Sequence, residues 1–240
     1  MGAQWKNQHK SAGAAQKGKI VHKLTKEIQV AARLGQPDPD YNPRLRAAIE
    51  AAKKQSVTRD AIERAIKKGS GADKDATNFD LVTYEGFAPH QVAVILEILT
   101  DNKNRSAHEV KQLFKKGQMG APGSVGWMFN HTGIIEAAHS DKSLDLESVA
   151  IEVGAQNVES LEDGEVEPHL LGARFIADVP DLDNANKALQ AAGWNVTKAE
   201  LGYVPKNLVE LSPEAEKEVV EFLQEMDDYD DTHRVYVALK

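Results

Sequence analysis

The sequence predicts an α+β fold in which an N-terminal three-helix module precedes two ferredoxin-like α/β domains, the second inserted in the first. Three observations predict it. The first 70 residues repeat their apolar side chains with helical periodicity, and strand-like and helix-like segments alternate from residue 81 onward. A last helix and strand then follow an α+β unit that already looks complete. We therefore expect three domains, formed by residues 1–76, by residues 77–130 together with 208–240, and by residues 131–207.

The N-terminal region predicts three amphipathic helices. The first spans residues 19–34, where apolar side chains recur at spacings of four, four and three at Ile20, Leu24, Ile28 and Ala31. Gly35 ends this helix, Asn42 before Pro43 starts the second, and Thr58 caps the third. Because three short helices cannot bury their apolar stripes alone, we expect them to pack on one another.

The remaining segments predict a linker and the elements of the two α/β domains. The small polar stretch of residues 69–78 is typical of a linker. Ser106, with Glu109 three residues later, forms a capping box that predicts the start of a helix running to about Lys116. Ser212 before Pro213 predicts the start of the last helix. The other predicted helices are residues 145–153 and 181–192, and the predicted strands are residues 81–87, 91–99, 133–137, 158–161, 172–178, 195–201 and 233–239.

The composition is that of a globular protein rather than a disordered or membrane-spanning one. Hydrophobic residues make up 41% and charged residues 28%, and the absence of cysteine excludes disulfides and thiolate metal sites. The most hydrophobic stretch, residues 92–99, is much shorter than the roughly 20 residues that a membrane-spanning helix needs. No apolar run follows the N-terminal lysines, so no secretory signal is predicted and we expect a cytoplasmic protein.

Charge is distributed unevenly along the chain. Residues 1–69 contain 15 lysines and arginines against 6 acidic residues, whereas residues 70–240 contain 14 against 31. The net charge of −8 therefore hides a basic N-terminal module beside acidic domains, an asymmetry that is typical of proteins that bind a polyanion. The alternative is two solvated surfaces of opposite sign that only keep the protein soluble.

The basic residues of this module are the candidate nucleic-acid contacts. Four of them fall within one stripe of about 80° opposite the apolar stripe of the first helix, namely Lys19, Lys23, Lys26 and Arg33. Lysine and arginine bind phosphates, and much of the affinity comes from released counterions, so no base need be read. The alternative is an ordinary solvated helix face. The complete set of candidates in this module is Trp5, Lys6, Lys10, Lys17, Lys19, Lys23, Lys26, Arg33, Arg44, Arg46, Lys53, Lys54, Arg64, Lys67 and Lys68.

Two candidates have their own alternatives. Trp5, in the basic head of the chain, either stacks on a base or packs on the helices, and packing is slightly favoured because tryptophan buries a large apolar area. Residues 101–105 follow a predicted strand, and Asp101 and Asn102 are typical of a turn. Arg105 is the better candidate there for an external contact with nucleic acid.

The other patterns predict no cofactor, metal site or catalytic residue. The glycines at positions 117, 120, 123 and 126 lack the residues of a phosphate cradle, which favours a flexible connector that orders on a partner. The acidic run of residues 221–231 lacks the spacing of a calcium loop and is interpreted as a surface that solvates the protein or repels phosphates. The eight histidines have no metal-ligand spacing, and no nucleophile motif is present.

Short motifs in a fixed order resemble those of the YebC/PmpR family from end to end. That family includes the related mitochondrial translational activator of cytochrome oxidase subunit I. The motifs are GKI at residues 18–20, AARLG at 31–35, PDPDYNPRLR at 37–46, IERAIK at 62–67, YEGF at 84–87, TDNKNR at 100–105, GSVGWMF at 123–129 and DDYDD at 227–231.

The resemblance implies a transcriptional regulator with three domains around a cleft, while some relatives are similar to ribosome-associated translation factors. The N-terminal head departs from the family pattern. The family usually begins with a Gly-His-Ser-Lys-Trp stretch, whereas residues 2–6 keep the Trp-Lys pair and lack the histidine and one lysine. The nucleic-acid target is therefore left open.

Three functional hypotheses follow. We expect a non-enzymatic, DNA-binding transcriptional regulator that binds the phosphate backbone through the basic module. The second hypothesis is a ribosome- or RNA-associated translation factor that uses the same module. The third, from a different class, is a hydrolase that acts in an acidic cleft. The sequence predicts neither the oligomeric state nor the recognised site.

Overall fold

The computed structural model describes residues 14–72, 79–161 and 166–240. The chain forms two compact units: a first unit containing the chain up to Asn130 together with Val204–Lys240, and a second unit, His131–Tyr203. In chain order the elements are α1 (Ala14–Leu34), α2 (Pro43–Lys54), α3 (Arg59–Gly69), β1 (Asp80–Ala88), β2 (Val92–Thr100), α4 (Lys103–Leu113), β3 (Gln118–Met119), β4 (Phe129–His139), α5 (Leu146–Val153), β5 (Asn157–Ser160), β6 (Leu171–Ala177), α6 (Leu182–Ala191), β7 (Asn195–Pro205), α7 (Pro213–Asp227) and β8 (Thr232–Val237). The α+β class is thus confirmed.

The three N-terminal helices form where local signals predict them. The Asn42 side chain accepts the N–H of Leu45 at 3.0 Å and so caps α2, and Thr58 caps α3 in the same way. α1 begins at Ala14, earlier than the predicted Lys19. The apolar faces meet in one core, whose central side chains are Ile28, Ala31, Leu45, Ala52, Ile62 and Ala65.

Gly69 sets how closely α3 approaches α1. A Cβ atom at this position would lie only 2.2 Å from the main-chain oxygen of Gln29. Any side chain would therefore push the end of α3 away from α1. The glycine at the C-terminal end of α3 thus permits this close crossing.

The sheet of the first unit has the order β3-β1-β2-β8, and its pairings are antiparallel. Its core contains β2, which is buried along its whole length, with side chains of α4, α7 and β8 packed around Leu96, Phe114 and Phe222. The chain leaves this unit after β3 and returns to it for α7 and β8. A separate helical domain of residues 1–76 stays a prediction.

The second unit has the element order β4-α5-β5-β6-α6-β7 and the sheet order β5-β6-β4-β7. Its core packs α5 and α6 on the sheet around Phe175, Leu189 and Trp194. Gly154 ends α5 with φ of 75°, a left-handed conformation that favours glycine. The element order is the one that the sequence predicts for this segment.

The first unit reaches a related strand arrangement by a different path. Across the sheet, the strands β8-β2-β1-β3 correspond in position to β7-β4-β6-β5 of the second unit. The counterpart of β6 is therefore β1, yet β1 precedes β2 and α4 in the chain, whereas β6 follows β4 and α5. Strand spacing along the sequence cannot reveal such a change of connection, because it shows which segments are strands and not which strands are neighbours.

The start of α4 corrects the sequence prediction. The capping box predicts a start at Ser106, but α4 begins earlier because the Asn102 side chain accepts the N–H of Arg105 at 3.1 Å. Ser106 lies buried inside the helix and bonds to Thr100 Oγ1 at 2.6 Å.

Within the described residues, no helix combines the length and apolar character that crossing a membrane requires.

Candidate nucleic-acid interface

One face of α3 presents three cations to solvent. Arg64, Lys67 and Lys68 occupy positions that are three and four residues apart, so they share one side of the helix, while Ile62 and Ala65 are buried on the other. Within the described part of the chain, no carboxylate lies within salt-bridge distance of these three side chains; Arg64 Nε donates instead to the Asp60 carbonyl at 3.1 Å. We call Arg64, Lys67 and Lys68 the α3 face.

Two other exposed arginines of the N-terminal region are held by main-chain oxygens. An Arg33 Nη atom donates to the Phe79 carbonyl at 2.5 Å, and Arg46 donates to the carbonyls of Pro39 and Asp40 at 3.1 and 3.0 Å. Carbonyl oxygens orient a guanidinium without neutralising its charge, so both exposed arginines remain available to an anion. Lys53 is also exposed, on α2.

Lys26, one residue of the predicted basic stripe, is buried rather than exposed to solvent. Its side chain is 7% exposed, and its ammonium lies 2.6 Å from Asp231 Oδ1. It also donates to the carbonyls of Leu99 and Asp230 and lies 5.2 Å from the centre of the Phe79 ring. These contacts use the lysine to attach α1 to the sheet of the first unit.

Lys23 and Arg44 are partly committed to internal contacts. Lys23, 27% exposed, pairs with Asp227 at 3.3 Å. Arg44 pairs with Glu27 at 3.1 Å, and Glu27 also faces His233 and Arg234 of β8. Burial alone would raise the pKa of Glu27, but His233, Arg234 and Arg44 outweigh it and lower the pKa to about 2.

Asp231 gathers side chains from three parts of the first unit. Arg105 donates to Asp231 Oδ2 at 3.0 Å and Tyr229 donates to the same oxygen at 3.1 Å, whereas Lys26 donates to Oδ1. Burial opposes ionisation of Asp231, but hydrogen bonds from Lys26 and Arg105 keep its pKa below the usual value. The same bond to Asp231 raises the pKa of Arg105. The predicted external contact at Arg105 is thus a side chain already paired with Asp231 and, at 2.8 Å, with Asp101.

These pairs give the acidic segment, residues 227–231, an internal role. Asp227 and Asp231 bind Lys23 and Lys26 of α1 across more than 200 residues of sequence. For these two carboxylates the interpretation as a solvating or phosphate-repelling surface is incomplete, because they hold the N-terminal helix on the first unit. Spacing along the chain gives no signal for such a distant pair.

Six of the predicted contacts cannot be placed by their side chains. Trp5, Lys6 and Lys10 lie outside the described residues. Lys17 and Lys19 lie on α1 and Lys54 on α2, but their side chains are outside the described part. Their roles stay predictions.

The glycine-rich loop surrounds a carboxylate from β1. Glu85 accepts three main-chain N–H groups, from Gly123 at 2.7 Å, Val125 at 2.8 Å and Gly126 at 2.7 Å. Burial would raise the pKa of Glu85, but these bonds lower it. Successive N–H groups that converge in this way form an anion site, and here the anion belongs to the protein. The connector predicted for this loop is therefore held in place by Glu85.

Trp127 is the exposed aromatic residue at the end of this loop. The residue is 68% exposed, and its indole N–H donates to the Ser124 carbonyl at 3.1 Å. The Lys206 ammonium donates to the Trp127 carbonyl at 2.7 Å. This residue is not among the contacts predicted from the sequence, although a tryptophan inside a glycine-rich motif was an available signal.

In residues 14–72, 79–161 and 166–240, no three histidine, aspartate or glutamate side chains converge in a way that could hold a metal ion.

Family models match almost the whole chain. One, described as the TACO1/YebC protein N-terminal domain, matches residues 2–72, and another, the TACO1/YebC second and third domain, matches residues 79–239. The chain belongs to the TACO1/YebC family. The resemblance found in the short motifs is thereby confirmed. The TACO1/YebC N-terminal match contains α1–α3 and every predicted contact except Arg105.

Relatives of similar length share about half of the sequence. A probable transcriptional regulatory protein of Pseudomonas savastanoi pv. phaseolicola is 50% identical over 240 residues, which cover all of this chain and 99% of the relative. Another of the same description, from Bdellovibrio bacteriovorus, is 48% identical over 241 residues and covers both chains completely. The crystal structure of a conserved hypothetical protein from Aquifex aeolicus has a TM-score of 0.78 at 37% identity, over 97% of this chain and 94% of that one. The two structures thus share a fold over 97% of this chain.

Proposed function

We propose that this protein is a non-enzymatic, cytoplasmic regulator that binds the phosphate backbone of DNA through its N-terminal helices. The α3 face carries the proposal, because its three cations are exposed and lack a carboxylate partner in the described part of the chain. The relatives named probable transcriptional regulatory proteins support the regulatory role. Arg33, Arg46 and Lys53 are further exposed cations of the same N-terminal region.

Binding of this kind is recognised by its dependence on salt. Each neutralised phosphate releases condensed counterions, so the logarithm of the association constant falls with the logarithm of the salt concentration. With about five phosphates contacted, we expect a slope of about −4 to −5 for duplex DNA. The measurement is fluorescence anisotropy of a labelled 20-bp duplex between about 25 and 300 mM NaCl.

A triple variant of the α3 face tests the location of the contact. We expect Arg64→Gln/Lys67→Gln/Lys68→Gln to make the slope shallower by about 2 to 3, because each lost phosphate contact removes about 0.9. The matched control is Lys111→Gln/Lys115→Gln/Lys217→Gln, which removes the same charge at exposed positions outside α1–α3. A slope near zero for the native protein, or an equal change in both triple variants, would contradict the proposal.

A ribosome- or RNA-associated translation factor is the second candidate. The exposed Trp127 favours it, because aromatic side chains stack on unpaired bases, which RNA loops offer and duplex DNA does not. Co-sedimentation with ribosomal particles in a sucrose gradient would support this candidate. A specific duplex footprint that survives about 150 mM salt would support the first, because non-specific phosphate binding weakens steeply there.

The contacts of the acidic segment do not favour the hydrolase hypothesis. Asp227 and Asp231, the first and last residues of this segment, are bound to Lys23 and Lys26 and so are engaged as structural counterions. We therefore propose that the protein acts by binding alone.

A further inference from the structure

We propose that Trp127 is a stacking platform for an unpaired base of a single-stranded nucleic acid, with Lys206 binding the adjacent phosphate. This inference rests on the proposed function and adds a second contact site in the first unit, outside the N-terminal helices. A nucleic acid that uses both sites must expose at least one unstacked base.

The loop holds the indole ring away from the core. Val125 and Phe129, on either side of Trp127, are buried, which fixes the chain at both ends of the short turn Gly126–Met128. The three N–H bonds to Glu85 fix the preceding residues of the loop. The ring therefore stays exposed because its surroundings are held, and little conformational entropy is lost when a partner binds it.

The chemistry of the exposed ring fits a base. Its single donor, the indole N–H, already bonds to the Ser124 carbonyl, so the ring offers a π face and no polar group for recognition. Every base has a π face, so stacking on such a ring tolerates any sequence. The exposed neighbours 121–123 are alanine, proline and glycine, too small to cover the ring.

The charge beside the ring fits a phosphate. Lys206 donates to the Trp127 carbonyl at 2.7 Å, which places its ammonium next to the turn that bears the ring. Within the described residues no carboxylate pairs with this exposed lysine, and the carboxylate of nearby Glu85 is used by the three loop N–H groups. An aromatic ring with an adjacent cation is the arrangement by which proteins bind single strands. A protein partner would instead need a wider apolar surface around the tryptophan.

The test compares a single strand with a duplex. The probes are a fluorescein-labelled 12-nucleotide oligouridine and a labelled 20-bp DNA duplex, measured by anisotropy with the full chain. We expect Trp127→Ala to weaken oligouridine binding by about 5- to 150-fold, the range for loss of one stacked base, and to change duplex binding less than about 2-fold. Trp127→Phe should retain most of the affinity, and Lys206→Gln should make the oligouridine salt slope shallower by about 0.7.

Controls separate this inference from the proposed function. Ile151→Ala removes another exposed apolar side chain, 79% exposed, and should leave oligouridine binding unchanged. Quenching of the native tryptophan fluorescence by oligouridine, reduced in Trp127→Phe, would support stacking at this residue.

If the α3 triple variant loses binding while Trp127→Ala binds oligouridine like the native protein, the inference fails and the proposed function stands. The same holds if Trp127→Ala keeps both nucleic acids and loses only a protein partner. If the native protein binds neither probe, both fail.

Discussion

Lys23 and Lys26 of α1 and the cations of the α3 face belong to the same basic region, but their environments differ. Lys26 on α1 is buried against Asp231, and Lys23 is partly covered beside Asp227. The α3 face, by contrast, has no carboxylate partner in the described part of the chain. An amphipathic pattern therefore shows which side of a helix is polar, but it does not show whether that side meets solvent or an acidic segment from elsewhere in the chain.

The energetic consequences of these two environments are opposite. A buried lysine paired with a carboxylate is costly to remove, because the partner is left as an uncompensated charge. An exposed lysine contributes little to the free energy of unfolding, yet it can release counterions when it meets phosphate. Stability and nucleic-acid affinity should therefore respond to different residues of one module.

The largest effect is expected at Lys26. Lys26→Met keeps the aliphatic stem but leaves Asp231 without its closest cation, so we expect the free energy of unfolding to fall by about 3 kcal/mol. Urea denaturation measures the loss. The control, Lys68→Met on the α3 face, should change stability by less than about 0.5 kcal/mol.

The same two variants also separate the binding roles. Lys68→Met should make the duplex salt slope shallower by about 0.9, while Lys26→Met, measured below its unfolding transition, should leave it unchanged. A slope change of that size in Lys26→Met would mean that this lysine reaches phosphate, and the contrast between α1 and α3 would be lost.

A smaller effect is expected from the pH dependence of Glu27. Its pKa is about 2 in the folded protein against a usual value of 4.5, so the folded state binds a proton less readily than the unfolded state. The resulting stabilisation, about 2–3 kcal/mol, is complete above about pH 5 and is lost as the pH falls toward 2. Urea denaturation of the native protein and Glu27→Gln between pH 2 and 6 should show a difference that closes as the pH falls. Glu50→Gln, at an exposed position of α2, is the control, and a difference independent of pH would contradict the prediction.

Local signals predicted the parts of the fold that depend on neighbouring residues. Asn42 and Thr58 cap their helices as expected, because a cap needs only the next three residues. The start of α4 was missed because Asn102 and Ser106 both have capping side chains, and the bond between Ser106 and Thr100 decides between them. The position of β1 between β2 and β3 depends on which strands pair, and periodicity does not encode that pairing.

The candidate site shows the same division. The outward side of α3 could be predicted, since Ile62 and Ala65 mark its buried side. The burial of Lys26 could not, because its partner Asp231 lies 205 residues away in the sequence. The hydrogen bonds from the loop around Gly123 to Glu85 also could not be predicted, because only the tertiary fold brings this loop next to β1.

Lys23 is intermediate between the buried Lys26 and the exposed cations of the α3 face, and it gives the smallest predicted effect. Its pair with Asp227 is about one quarter exposed on each side, so the pair should contribute less than about 1 kcal/mol to stability. A phosphate near α1 would have to compete with this carboxylate for the lysine. Asp227→Asn removes that competitor, and we expect duplex binding to tighten about 2- to 5-fold, with a salt slope steeper by at most about 0.9. Glu214→Gln, which removes the same charge at the other end of α7, should have a smaller effect. Weaker binding in Asp227→Asn would show that the pair positions α1 for nucleic acid rather than restraining Lys23, because the loss of orientation would then outweigh the gain of a released cation.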